Sequence, residues 1–148
     1  TEAEWEYCAR FTSKSTDLKY PWGYQFPPTT PSGNYGDKSA QKLLPAVIEN
    51  YNDGFPGTAP SATFKANGLG LFDLGGNVSE WCHDFYTIYT YNSSKTGVDP
   101  TGPSQGNHRT VRGASWRHAS MSKLRLAYRD YSDSKRPDLG FRIARYTN

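Results

Sequence analysis

Gly68-Leu-Gly-Leu-Phe-Asp-Leu-Gly-Gly-Asn-Val-Ser-Glu-Trp-Cys-His-Asp-Phe85 sets four glycines and the polar residues Asp73, Asn77 and Glu80 among apolar side chains. Gly75-Gly76 admits positive φ, and a turn of that kind aims successive carbonyls at one point. Asp73 and Glu80 add hard oxygens there, the donor type that holds calcium. The same letters spell a helix start, with Asn77 as N-cap and Glu80 three residues on closing a capping box. The two readings are compatible, because a capped turn can also hold an ion.

With 148 residues the chain is long enough for one domain with a core of its own. Hydrophobic content is only 35% while aromatic content is 15%, so the core is expected to be built from Trp, Tyr and Phe. Fourteen Gly and ten Pro predict long, turn-rich connections between short elements. No stretch approaches the roughly 18 apolar residues of a membrane span, and no signal-peptide pattern is present. The chain opens in mid-motif, so an upstream region is expected, and the compartment is left open. The net charge of +3 reflects 17 basic and 14 acidic residues. Basic residues concentrate after Arg109 but alternate with Asp and apolar positions, unlike the continuous stripe of a nucleic-acid footprint, so nucleic acid is not an expected partner. Cys8 and Cys82 allow one disulfide or none. Without a CxxC or a Cys/His cluster no zinc site is expected, and buried free thiols are.

Thr1-Glu-Ala-Glu4 has capping-box spacing and predicts a helix over Glu2 to Arg10, showing Trp5 and Cys8/Ala9 to the core. Phe11 to Leu18 is polar loop, and Tyr20-Pro-Trp-Gly23 a compact aromatic turn. From Tyr24 to Phe64 Pro, Gly, Asn and Ser dominate, with only Lys42 to Asn50 apolar enough for a short strand or turn. A loop this long needs something to hold it, and Asn34 and Asp53 supply oxygens for an ion. Phe85 to Tyr91 is aromatic and β-prone. Arg109 to Gly113, the alternation of Leu124, Leu126 and Tyr128 with Arg125, Ala127 and Arg129, and Gly140 to Arg145 read as strands. Helix first, irregular middle and paired strands last indicate an α+β domain with modest regular structure. Asn77-Val-Ser79 and Asn92-Ser-Ser94 match the glycosylation sequon.

Four blocks stand in order: Thr1-Glu-Ala-Glu-Trp-Glu-Tyr7, Tyr20-Pro-Trp-Gly23, Gly70-Leu-Phe-Asp-Leu-Gly-Gly-Asn-Val-Ser-Glu-Trp81, and Arg112-Gly-Ala-Ser-Trp116 followed by Gly140-Phe-Arg142. Together they resemble the sulfatase-modifying-factor family, whose founding activity is the formylglycine-generating enzyme. The resemblance covers nearly all of residues 1–148 as a single domain whose N-terminal part is expected to be missing. It implies a variant C-type-lectin-like fold with little regular secondary structure. It also implies two structural calcium ions. One would use the Asn34 side chain, the Tyr35 carbonyl, the Asp53 side chain and the Phe55 carbonyl; the other Asp73, the Gly76 and Val78 carbonyls, and Glu80. Such ions would clamp loops whose ordering costs entropy.

The oxidase of this family carries two cysteines at the seventh and twelfth positions counted from the Arg of its Arg-Gly-Gly-Ser block, which bind copper as thiolates. Counting from Arg112 places His118 and Lys123 there. Neither supplies a soft thiolate, and Cys8 and Cys82 lie in other blocks, so formylglycine synthesis by that mechanism is not expected. A second branch, the iron-dependent sulfoxide synthases, takes its iron ligands from an N-terminal helical domain that is not in this sequence. His83, His108 and His118 lack facial-triad spacing.

A third branch uses the fold for binding, and others are terminal domains of larger bacterial proteins. Here Arg117 to Lys123 and Tyr128 to Asp138 are rich in Tyr, Ser, Arg and Asp, side chains suited to an adaptable surface. The reading is therefore a calcium-stabilised domain without the copper site. It binds a protein, peptide or small-molecule ligand through Trp116, Arg117, His118, Ser120, Lys123, Tyr128 and Tyr131, or docks other domains of a larger chain. The alternative is an oxidoreductase completed by an absent N-terminal region, with His118 as the candidate catalytic residue. Arg112, Arg129 and Arg142 are expected to pair with Asp or Glu as framework residues.

Overall fold

The computed structural model describes residues 1–11, 18–88 and 98–145. They form helix α1 (Glu2–Arg10), a 3-10 turn at Lys38–Ala40, and strands β1 (Ser79–Phe85), β2 (Arg109–Arg112), β3 (Arg129–Ser132) and β4 (Leu139–Phe141). The sequon at Asn92, the tyrosines at 89 and 91 and most of the polar loop after Phe11 lie outside the described residues. Among the described residues no helix is long and apolar enough to cross a membrane.

Helix α1 starts as the sequence predicts. Thr1 and Glu4 form the capping box, Glu2 and Glu4 sit at the positive end of the helix, and Arg10 sits at the negative end. Trp5 and Ala9 are buried with Leu74, Cys82 and Leu126, and Cys8 packs half-buried against them. Burying a Trp of this size contributes on the order of 4 kcal/mol. Both thiols are free.

An ionic clamp holds the helix to the sheet. Arg112, fully buried, reaches Glu2 and Glu6 at 2.7 Å each and the Leu126 carbonyl at 2.8 Å. Arg129 grips the same Glu2 in a bidentate pair at 2.6 and 2.8 Å. Removing one partner of such a buried pair costs about 3–5 kcal/mol. Arg142 pairs with Glu80 at 2.6 Å, so all three arginines are framework residues.

The sheet runs β3-β2-β1-β4. β1 pairs antiparallel with β2, Glu80 opposite Arg112, and parallel with β4, Glu80 opposite Gly140. β3 adds antiparallel to β2 with Val111 opposite Asp130. A second core gathers Tyr20, Tyr35, Ile48, Tyr51, Ala114 and Leu124, with Trp22 stacked on Tyr20 at 4.8 Å. The core is as aromatic as the composition predicts.

Three local expectations are corrected. The stretch after Asn77 is strand β1, not a helix start: Asn77 has φ 70° and spends its side chain on Ala59, while Glu80 binds Trp5 and Arg142. Long-range bonds therefore take both members of the apparent capping box. Positive φ falls on Gly75 at 84° and on Asp73 and Asn77, but not on Gly76. The alternation at Leu124 and Leu126 is real burial, yet it lies in turns: Leu124 N–H bonds the Ser120 carbonyl four residues back, and Leu126 N–H the distant Lys19 carbonyl. The strand starts only at Arg129, and β4 stops at Phe141. The sequon asparagine Asn77 is buried with its amide engaged.

Candidate functional site

The central stretch pins the two loops of interest together. Asn77 N–H donates to the Asn34 carbonyl at 2.8 Å, Trp116 N–H to the Asn77 carbonyl at 2.9 Å, and Gly36 N–H to the His118 carbonyl at 2.9 Å. Segment 34–36 is thereby held between the turn at 75–77 and the segment that carries His118.

At that segment, Ser115 donates its hydroxyl to Asp138 Oδ2 at 2.9 Å, and Ser115 N–H donates to His118 Nδ1 at 3.1 Å. With Nδ1 an acceptor, the neutral ring carries its proton on Nε2. Burial pushes the His118 pKa down to about 4, and the charge of Lys123 adds to this. His118 is therefore neutral near pH 7 and offers an N–H donor rather than a basic lone pair. Ser115, His118 and Asp138 meet without forming a proton relay, because the serine proton goes to the aspartate.

Tyr128 stands edge-on to His118 at 6.0 Å, and Arg136 bridges Asp130 at 2.9 Å and Asp138 at 3.6 Å. Arg117, Ser120 and Lys123 are exposed, with Arg117 over the Trp116 ring. Tyr131 does not join them. It packs on Tyr86 at 4.7 Å and His108 at 5.0 Å from within β3, whereas Tyr128 lies in the turn before that strand. Sequence reasoning missed Ser115, Asp130, Arg136 and Asp138 as neighbours of His118. The only signal was the place of Ser115 in the Arg112–Trp116 block and of the other three in the segment from Tyr128 to Asp138.

In the first set, Asp53 meets the backbone of Tyr35 and Phe55. Asp53 Oδ2 accepts Tyr35 N–H at 2.9 Å and Oδ1 accepts Phe55 N–H at 2.8 Å. Asn34 is fully buried; its amide nitrogen reaches Gly57 and Asn77, and its Oδ1 has no hydrogen-bond partner. Burial raises the Asp53 carboxyl to about 6 against its two backbone hydrogen bonds, and Asp37 beside it raises it further. A buried oxygen without a partner, next in sequence to the residue whose N–H meets a partly buried carboxylate, is the donor chemistry that a hard cation takes.

The second set differs. Asp73 accepts Ala62 N–H at 3.0 Å. Glu80 already receives Trp5 Nε1 at 2.7 Å and a two-pronged grip from Arg142, whose other bond is to the Phe72 carbonyl. Its charge is matched within the fold, and calcium would share Glu80 with Arg142. Among the described residues no three His, Cys, Asp or Glu side chains cluster as a metal site. A cation here needs amide and carbonyl oxygens as well. Two surface cavities of about 320 Å³ each, one along α1 and one between Arg10, Lys19, Tyr24 and Arg125, are lined by neither His118 nor Asn34.

The sulfatase-modifying factor enzyme 1-like domain matches residues 1–147. The chain belongs to this family. It is similar to a formylglycine-generating enzyme of Thermomonospora curvata, 37% identical over 97% of this chain and 48% of that protein. It is also similar to the inactive C-alpha-formylglycine-generating enzyme 2 of Mus musculus, 34% identical over 97% of this chain and 41% of that protein. Among solved structures it resembles Treponema denticola variable protein 1, with a TM-score of 0.72 and 30% identity over 95% of this chain and 44% of that one. The chain thus spans about half the length of the relatives it matches. One helix, a four-stranded sheet and long irregular connections are the α+β, C-type-lectin-like architecture of this family.

Proposed function

We propose that this domain is a calcium-stabilised module that binds a protein, peptide or small-molecule ligand through the face around Trp116, Arg117, His118, Ser120, Lys123 and Tyr128, and that it lacks the copper oxidase site. The reading is carried by the count from Arg112, which falls on His118 and Lys123 where the family resemblance implies the oxidase's two cysteines. A neutral imidazole donor and an exposed ammonium recognise acceptor groups on a ligand; they do not hold Cu(I). Support for calcium comes from the unpartnered, buried Asn34 Oδ1 and from Asp53, which bonds the N–H of the adjacent Tyr35. Bound there, the ion would supply charge compensation, and Asn34, Tyr35, Asp53 and Phe55 would be its holders.

Elemental analysis of the purified protein, paired with thermal unfolding with and without a calcium chelator, tests this. Calcium with a clear loss of stability on chelation, and no copper or iron, is the expected result. No metal and no chelator effect overturns the calcium assignments. The identity with the Thermomonospora curvata enzyme favours a second reading, an oxidoreductase completed by further chain. Stoichiometric copper or iron would put that reading first.

A further inference from the structure

We propose that Asp37, which belongs to neither set of calcium donors, supplies the second negative charge that sets the cation affinity of the Asn34–Asp53 group. It acts as a charge and positioning residue and not as a direct ligand. This rests on the calcium reading of that group.

Asp37 is fully buried. Its Oδ2 accepts the N–H of Asp53, and its Oδ1 accepts the N–H of Ser39 at 2.8 Å and the Ser39 hydroxyl at 2.5 Å. Those donors fix the carboxylate and occupy both oxygens, so its influence on a cation runs through space and through the Asp53 backbone it holds. Among the described residues neither Asp37 nor Asp53 has an ion-pair partner. A fully buried carboxylate beside a partly buried one, with no cation to match them, is costly. The Asn34 oxygen, fully buried and unpartnered, is an independent sign that the same loop awaits a ligand. The 3-10 turn that follows, capped by Asp37, explains why the residue is held, but not why two carboxylates are placed together.

The test compares wild type with Asp37→Asn, which keeps the size and one acceptor oxygen. Ca²⁺ is titrated by calorimetry and Tb³⁺ by luminescence, alongside the melting temperature of the metal-free protein. Coulombic attraction scales with ion charge. Loss of about tenfold in Ca²⁺ affinity should therefore accompany roughly thirtyfold for Tb³⁺, while metal-free melting falls by the cost of the one backbone N–H that the amide leaves unpaired. Unchanged affinities, or equal losses for both ions, overturn the proposal, since a purely positional defect weakens both alike. If wild type binds neither ion, the calcium reading itself fails. Should Asp37→Asn not fold, Ser39→Ala removes the hydroxyl proton that offsets the Asp37 charge. It should tighten Tb³⁺ more than Ca²⁺, and no change or a weakening sinks the idea.

Discussion

Asn34 Nδ2 donates to Asn77 Oδ1 at 3.1 Å, while Asn77 N–H donates to the Asn34 carbonyl at 2.8 Å. The two asparagines, 43 residues apart, thus lock the long middle loop to the central turn through both main chain and side chain. Asn77 also closes a two-way bond with Ala59, accepting its N–H at 2.9 Å and donating to its carbonyl at 3.0 Å. Its φ of 70° suits Asn better than most residues.

Asn77→Ala should therefore cost about 3 kcal/mol. It leaves a buried N–H and a buried carbonyl of Ala59 unpaired and takes one of the two acceptors of the Asn34 amide. Urea unfolding of the purified variant measures it. A loss below about 1 kcal/mol would mean water replaces those bonds and the asparagine pair is not the junction.

Arg142→Lys should destabilise the fold by about 1–2 kcal/mol, because one ammonium cannot reproduce the fork that holds Glu80 at 2.6 and 3.2 Å and the Phe72 carbonyl at 3.0 Å. Ligand affinity, once a ligand is in hand, should fall no more than the folded fraction does. Lost binding at an unchanged melting temperature would reassign Arg142 from framework to site.

Helix α1 was legible because its signals are local: Thr1 and Glu4 read each other three residues apart. Strand β1 was not, since Asn77 and Glu80 look like a capping box until Ala59, Trp5 and Arg142 claim them from far along the chain. The two leucines at 124 and 126 show the same limit, as alternating burial arises in turns as readily as in strands. At the site, His118 and Tyr128 meet edge-on, and Asp53 meets the backbone of Tyr35 and Phe55, pairs that sequence had grouped. It could not see that Tyr131 packs on Tyr86 and His108, or that Asp138 returns to Ser115 from 23 residues downstream.

Gly75→Ala should be among the most damaging single changes, at about 3 kcal/mol. Its φ is 84°, and a Cβ there would lie 2.7 Å from Pro21 Cγ and 3.3 Å from Leu126. The aromatic turn at 20–23 and the central stretch approach too closely for a side chain. Chemical unfolding reads the loss; a variant as stable as wild type would show that Pro21 can move aside.

Acid should reveal two opposed groups in the metal-free protein. Asp53 titrates near 6 when folded and at 3.8 by default, so the folded chain binds its proton first. Its stabilising contribution is complete below 3.8 and lost as pH rises through 6. His118 titrates near 4 when folded against 6.5 by default, so the unfolded chain takes that proton first. Its contribution is present above 6.5 and lost as pH falls towards 4. The two windows overlap and largely cancel, each being worth about 1–2 kcal/mol after solvent screening. Asp53→Asn should therefore lose stability more steeply than wild type between pH 6 and 4, and His118→Gln less steeply. Unfolding in chelator at pH 7, 5.5 and 4 separates the curves, and three parallel profiles would show that neither group is perturbed by its surroundings.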